Sequence, residues 1–138
     1  MRYLNVTLVA LNLPDLRAAE AYYCRLLDLD VAWRDTDGPT SMFAAWEEID
    51  AEGANPISIM LECDRFRLSL TRLGAEEAAR AGRGIVYAAV QVSVEQLGKL
   101  RDRVQAAGLE VVRSGAGEPF IFRDGYDVEW QLDSRTDR

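Results

Sequence analysis

The sequence predicts an α+β chain in which one strand, helix and strands unit is given twice, and three internal correspondences predict it. Leu16, Ala19, Tyr23 and Leu26 fall at i, i+3, i+7 and i+10, one stripe of a 3.6-residue period, and Leu97, Leu100, Val104 and Ala107 repeat that spacing 81 positions later. Each helical stretch runs into an extended segment, residues 29–34 in the first half and 109–113 in the second, displaced by 80. Each half then ends on a strand entered through an aspartate turn, and Asp64-Arg65-Phe66-Arg67-Leu68-Ser69-Leu70 stands over Asp124-Gly125-Tyr126-Asp127-Val128-Glu129-Trp130, displaced by 60.

Taken in order, residues 4–11 are rich in leucine and β-branched residues and read as the first strand. Asn12-Leu13-Pro14-Asp15 leads into the first helix, with Pro14 suited to a first helical turn. Ser93-Val94-Glu95-Gln96 opens the second helix as a capping box, and Gly108 closes it. The closing strands alternate apolar with polar, so Phe66, Leu68 and Leu70, like Tyr126, Val128 and Trp130, should face a helix-covered core. Arg67, Ser69 and Thr71, with Asp127, Glu129 and Gln131, then point the other way, as two polar rows toward a common space. The fall in offset from 80 to 60 leaves about 20 extra residues in the first half, at 36–56, bounded by the turn signals Asp37-Gly38-Pro39 and Gly53-Ala54-Asn55-Pro56. Met42-Phe43-Ala44-Ala45-Trp46 inside it reads as an added strand or a lid. The whole of 1–138 reads as one domain: module one 1–73, a linker 74–84 containing a short Ala/Glu-rich helix, module two 85–133, and a fraying tail 134–138.

Composition narrows the chemistry. The chain of 138 residues has no histidine, which excludes Ser-His-Asp and Cys-His catalysis, an imidazole proton shuttle and His-ligated metal sites. Lys99 is its one lysine, hence the single candidate for a Schiff base. The net charge of −7 offers no basic stripe for a phosphate backbone, so no nucleic-acid partner is expected. No apolar run approaches a membrane span, no secretory leader is legible at the start, and a cytoplasmic location is the expectation. Cys24 and Cys63 accordingly read as reduced thiols without a base beside them. Gly115-Ala116-Gly117 is too isolated for a phosphate loop.

The duplicated order, with Asn12-Leu13-Pro14-Asp15-Leu16 entering a helix that holds Tyr22-Tyr23, then Ala106-Ala107-Gly108-Leu109-Glu110-Val111 and the closing Phe122-Arg123-Asp124-Gly125-Tyr126-Asp127-Val128-Glu129, resembles the vicinal-oxygen-chelate superfamily of glyoxalase I, extradiol dioxygenases and bleomycin-resistance proteins. The resemblance implies two tandem βαβββ modules whose curved mixed sheets enclose a shared cleft, commonly in a homodimer. It also implies that metal-dependent members hold a divalent ion through four side chains, on the first and last strands of each module. Those places fall on Leu8, Ser69, Ala89 and Glu129, of which one is a strong ligand. A metal-free member, without cofactor, is therefore the expectation.

Several residues then invite a ligand role. Glu129 reads either as a desolvated base or as a strand carboxylate partnered by an arginine. Val6, Leu8, Ala10, Ala89 and Gln91 are expected on an apolar cleft floor; Tyr87 belongs either there or on a wall with its hydroxyl in solvent. Arg67 and Asp127 either pair across the modules or are each solvated. Trp33, Phe43, Trp46, Phe120 and Phe122 are candidate aromatic walls, Phe43 and Trp46 foremost because an insertion is where specificity is stored. The acidic run Glu47, Glu48, Asp50 and Glu52 reads as a solvated edge or as a lure for a cation. The expected function is metal-independent sequestration of a planar, cationic or amphiphilic natural product or antibiotic. The alternatives are a metal-independent lyase or isomerase with Glu129 as general base, and an interaction or regulatory module with a degenerate cleft.

Overall fold

The computed structural model describes residues 7–39, 41–72, 86–115 and 118–134. The chain divides between Gly82 and Arg83 into two compact units, modules one and two. The predicted linker helix, Val6, most of Gly115-Ala116-Gly117 and the tail beyond Ser134 lie outside the described residues.

In module one β1 (Thr7–Leu13) is followed by α1 (Leu16–Leu27), β2 (Asp30–Thr36), α2 (Trp46–Glu52), β3 (Pro56–Cys63) and β4 (Phe66–Arg72). Asp15 caps α1, its Oδ1 accepting from the Ala18 amide at 3.1 Å, and Asp28 ends the helix in the left-handed region at φ 57°. Pro14 thus precedes the cap instead of entering the first turn. The sheet runs β1-β4-β3-β2, with β1 parallel to β4 and the other pairs antiparallel. The predicted stripe Leu16, Ala19, Tyr23 and Leu26 is buried against Ile59, Leu61, Leu68 and Leu70, and α1 packs on β3 and β4.

The insertion corrects one of the two sequence readings, since the segment offered as an added strand is a turn leading into a helix that begins at Trp46. The Glu20 carboxylate explains why. Its Oε1 accepts from Arg34 Nε and its Oε2 from Trp46 Nε1, each at 2.7 Å. Arg34 also donates through Nη1 to the Ala44 carbonyl at 2.9 Å, and Arg17 grips Asp50 at 2.9 Å while lying 4.6 Å from the Trp46 ring centroid. Tertiary bonds, not local periodicity, fix this helix.

Module two repeats the plan with β5 (Val86–Val92), α3 (Val94–Ala106), β6 (Glu110–Arg113), β7 (Phe120–Arg123) and β8 (Val128–Ser134), ordered β5-β8-β7-β6. Ser93 Oγ accepts from the Gln96 amide at 3.1 Å, and Gly108, at φ 67°, follows the end of α3. Ala88, Val90, Leu100, Val104, Phe120, Phe122, Val128, Trp130 and Leu132 make its core, whereas Ala107 is exposed. The buried Asp124 organises the turn before β8. It accepts from the amides of Tyr126 and Val128 and from Trp130 Nε1, so Tyr126 belongs to a turn, not to the strand.

Register reveals how the halves correspond. Both carry a β-bulge after the helix, between Val31 and Trp33 in β2 and between Val111 and Arg113 in β6. Matched on the bulge, Val31 answers Val111, Leu61 answers Phe122, Leu68 answers Trp130 and Val9 answers Ala88. The closing strands are therefore displaced by 62, not 60, and the turn into β8 is one residue longer than the turn into β4, with five residues between the paired Arg123 and Glu129 against four between the paired Glu62 and Arg67.

Candidate functional site

Each sheet has one face covered by its helix and one open face, and the open faces carry most of the residues singled out from the sequence. On module one's open face the registers set three rows, read from β1 to β2. Leu8, Arg67, Glu62 and Asp30 form the first; Ala10, Ser69, Met60 and Trp33 the second; Asn12, Thr71, Ser58 and Asp35 the third. Leu8 is exposed, while Trp33, Met60 and Ser69 are partly buried. Arg67 Nε lies 3.7 Å from Glu62 Oε2, so its partner is a neighbour within its own sheet. The centre is thus an indole beside a thioether and a hydroxyl, edged by the carboxylates of Asp30 and Asp35 and by the Arg67–Glu62 pair.

Module two's open face has the rows Tyr87, Glu129, Arg123, Glu110 and Ala89, Gln131, Ile121, Arg113, followed by Gln91 beside Asp133. Arg123 stands between two acids, 3.6 Å from Glu129 and 3.5 Å from Glu110. Glu129 is 23% exposed and has the arginine partner that one sequence reading gave it. Tyr87 is exposed and its hydroxyl donates to Gln131 Oε1. Asp127 sits in the turn, exposed, at φ 62°. Compared row by row, the arginine and glutamate of the first row have exchanged places: Arg67 and Glu62 in module one answer Glu129 and Arg123 in module two.

That exchange corrects the sequence alignment of the four coordination places. Glu129 answers Arg67, not Ser69, and Tyr87, not Ala89, answers Leu8. Within a module the inferred pairs are also diagonal: Leu8 lies opposite Arg67 while Ser69 lies opposite Ala10, and Ala89 lies opposite Gln131 while Glu129 lies opposite Tyr87. The donor chemistry does not fit a divalent cation, since Leu8 and Ala89 bring no donor, Ser69 brings a neutral hydroxyl and Glu129 is ion-paired to Arg123. Among the described residues no three Cys, Asp or Glu side chains gather as a metal site.

The aromatic candidates separate sharply. Trp33 is on the open face. Phe122, 0% exposed and paired with Trp130, and Phe120, 4% exposed and paired with Leu132, belong to the helix-covered core of module two, which overturns their expected place on a ligand wall. Trp46 is engaged by Glu20 and Arg17, with Arg34 4.7 Å from its ring centroid, so its indole serves the insertion's own packing. Phe43 stands out at 82% exposed. Met60, Asp30, Asp35 and Glu62 were missed in the sequence, where β3 reads as a nearly unbroken apolar run. Strict alternation of Ser58, Met60 and Glu62 against Ile59 and Leu61 is the signal that finds them.

The thiols are poor nucleophiles. Burial, then the Glu20 and Asp30 charges, push Cys24 up to about 11, and burial followed by Asp64, Asp28 and Asp30 raises Cys63. Both are free cysteines.

With this geometry described, comparison with known proteins places the chain. No curated protein matches it. Among solved structures it is similar to TioX from Micromonospora sp. ML1, with a TM-score of 0.65 at 14% identity over 96% of this chain and 99% of that one. It is also similar to the fosfomycin resistance protein FosX from Listeria monocytogenes, at TM-score 0.61 and 13% identity over 98% and 94% of the two chains. FosX from Mesorhizobium loti gives 0.59 and 13% over 99% and 95%. At such identities the likeness is one of fold. A family model matches residues 5–132, and on that ground the chain, with its duplicated strand order, belongs to the Glyoxalase/Bleomycin resistance protein/Dioxygenase superfamily.

Proposed function

We propose that this chain binds and sequesters a planar, cationic or amphiphilic small molecule, an antibiotic or natural product, without a metal ion or cofactor and without chemical turnover. The observation that carries this reading is the row of Trp33, Met60, Ser69 and Ala10 on module one's open face, with Asp30, Glu62 and Asp35 in the rows on either side. An indole face and a polarisable sulfur suit a flat ring, and carboxylates around them favour one that bears positive charge. FosX from Listeria monocytogenes is a fosfomycin resistance protein, and drug protection is the corresponding role proposed for this chain. On module two, Tyr87, Ala89, Gln91 and Glu129 supply a polar counterpart with hydrogen-bonding groups.

Isothermal titration with a panel of glycopeptide and intercalating antibiotics tests the proposal. At least one member should bind well below millimolar, unaffected by a chelator, and Trp33→Ala should weaken it by about tenfold, consistent with stacking plus cation–π attraction. Binding by none, or equal binding by Trp33→Ala, overturns it.

A second reading, a metal-independent lyase or isomerase, is favoured by one observation: Glu129 and Tyr87 are direct register partners, a carboxylate beside a phenol. A pH–rate profile whose inflection disappears in Glu129→Gln supports that reading; unchanged turnover in Glu129→Gln rejects it.

A further inference from the structure

A planar ring on Trp33 and Met60 leaves half of module one's open face unused. The row Asn12, Thr71, Ser58 and Asp35 is a ladder of direct register partners, Asn12 beside Thr71, Thr71 beside Ser58 and Ser58 beside Asp35. Ser69 stands in the adjoining row, opposite Ala10. At about 5 Å between direct partners and about 7 Å between rows on one face, the amide of Asn12 and the hydroxyls of Thr71, Ser58 and Ser69 fall within a patch of about 10 Å by 7 Å. The three hydroxyl side chains are half-buried.

These groups are uncommitted. Thr36, Ser41 and Ser93, in turns and at a helix cap, each accept from a backbone amide. Among the described residues the side chains of Asn12, Ser58, Ser69 and Thr71 have no hydrogen-bond partner. In the matching row of module two Gln131 takes the place of Ser69, and it already accepts from the Tyr87 hydroxyl. Strand propensity does not call for Asn12, Ser58 or Ser69 either, since strands favour β-branched and aromatic residues. Ser58 and Ser69 nevertheless occupy β3 and β4, the two inner strands of the sheet.

The chemistry of the patch selects its occupant. A hydroxyl both donates and accepts, and an amide offers both kinds of site, so the patch answers a partner whose own groups do the same around a compact rim. A sugar ring has that rim, and its carbon–hydrogen face can lie toward Ala10 and the edge of Met60. A planar apolar ring over the same place would bury these groups unpaired, which is unfavourable. A phosphate is matched no better, because the one cation in the three rows, Arg67, stands beside Glu62. Asp35, exposed and without an ion pair among the described residues, ends the row and favours a sugar that carries an amine.

We infer that the Asn12, Thr71, Ser58 and Ser69 patch is an amino-sugar site, where a polyhydroxylated ring takes up the free hydrogen-bonding groups and its amine lies at Asp35. The inference rests on the binding reading above, whose planar ring lies on Trp33, and narrows the ligand class to an aromatic glycoside.

Titration of the whole chain with two half-ligands, followed by nuclear magnetic resonance, separates this inference from the reading it rests on. Proflavine, a planar cation without a sugar, reports the stacking half; the methyl glycoside of glucosamine, an amino sugar without a planar group, reports the other. The glucosaminide should bind in the millimolar range and shift the amide signals of Asn12, Ser58, Ser69 and Thr71. Ser58→Ala combined with Thr71→Val, a variant that keeps the β-branch at 71 and whose fold circular dichroism checks, should weaken it by about tenfold through the loss of two hydrogen bonds. Proflavine should bind that variant as it binds the wild type. Daunorubicin, an amino sugar joined to a planar ring system, should bind about tenfold tighter than its aglycone. No response to the glucosaminide at tens of millimolar, a response confined to other residues, an affinity indifferent to the double substitution, or a glycoside no tighter than its aglycone overturns the inference, whatever proflavine does. Proflavine that fails to bind while the glucosaminide binds at these residues rejects the stacking reading and still supports the sugar site.

Discussion

The Glu20 carboxylate holds an arginine of β2 with one oxygen and an indole of the insertion with the other, and the residue is 7% exposed. Removing it strands the largely buried Arg34 guanidinium, and breaking a buried ion pair from one side costs about 3–5 kcal/mol. Glu20→Ala should therefore lower the unfolding free energy in urea by about that much, with Trp46 fluorescence shifting toward that of an indole in water. Cys24 makes a different prediction. With its pKa at about 11, it should alkylate with iodoacetamide far more slowly than a free thiol at pH 8, catching up only near pH 11. The linked effect on stability has a definite sign. Between about pH 9 and pH 11 the unfolded chain loses this proton while the folded chain keeps it, so stability falls across that window. Neither behaviour was visible in the sequence, where Glu20 is one polar residue in an amphipathic helix and Cys24 a neighbour of Tyr23.

Among the elements, the helices and closing strands were legible because their periodicities are intact: Leu16, Ala19 and Tyr23 on α1, Leu68 and Leu70 on β4, Val128 and Trp130 on β8 are all buried. Helix α2 was not. Its seven residues bury only Ile49, so there is no stripe to read, and the bonds that shape it come from residues 17, 20 and 34. The candidate site suffered from a related blind spot. Face was readable by alternation along one strand, but which residue stands opposite which depends on turn length, and the longer turn before β8 moved Glu129 from beside Ala89 to beside Tyr87. That turn rests on Asp124. Asp124→Ala leaves two amides and an indole N–H without their acceptor, and should cost about 3 kcal/mol or more in chemical denaturation.

At the scale of the whole molecule, duplication gave away the architecture, and a net charge of −7 frames what it attracts. If the ligand is a cation, its association rate should fall as salt rises from about 20 to 300 mM while the dissociation rate changes little, which stopped-flow fluorescence would register. Equal association rates would point to a neutral ligand. The repeated bulge bears on how such a chain tolerates gain and loss of residues. Ala32 lies between Val31, which points under the helix, and Trp33, which points outward, so excising it leaves Asp30, Val31, Trp33 and Arg34 in plain alternation. Excising Ser69 from the middle of β4 instead turns over every residue beyond it. A chain lacking Ala32 should still melt cooperatively, and one lacking Ser69 should not. Each half of this protein thus contains a frame-neutral position at this bulge, where a codon can come or go without reassigning inside and outside.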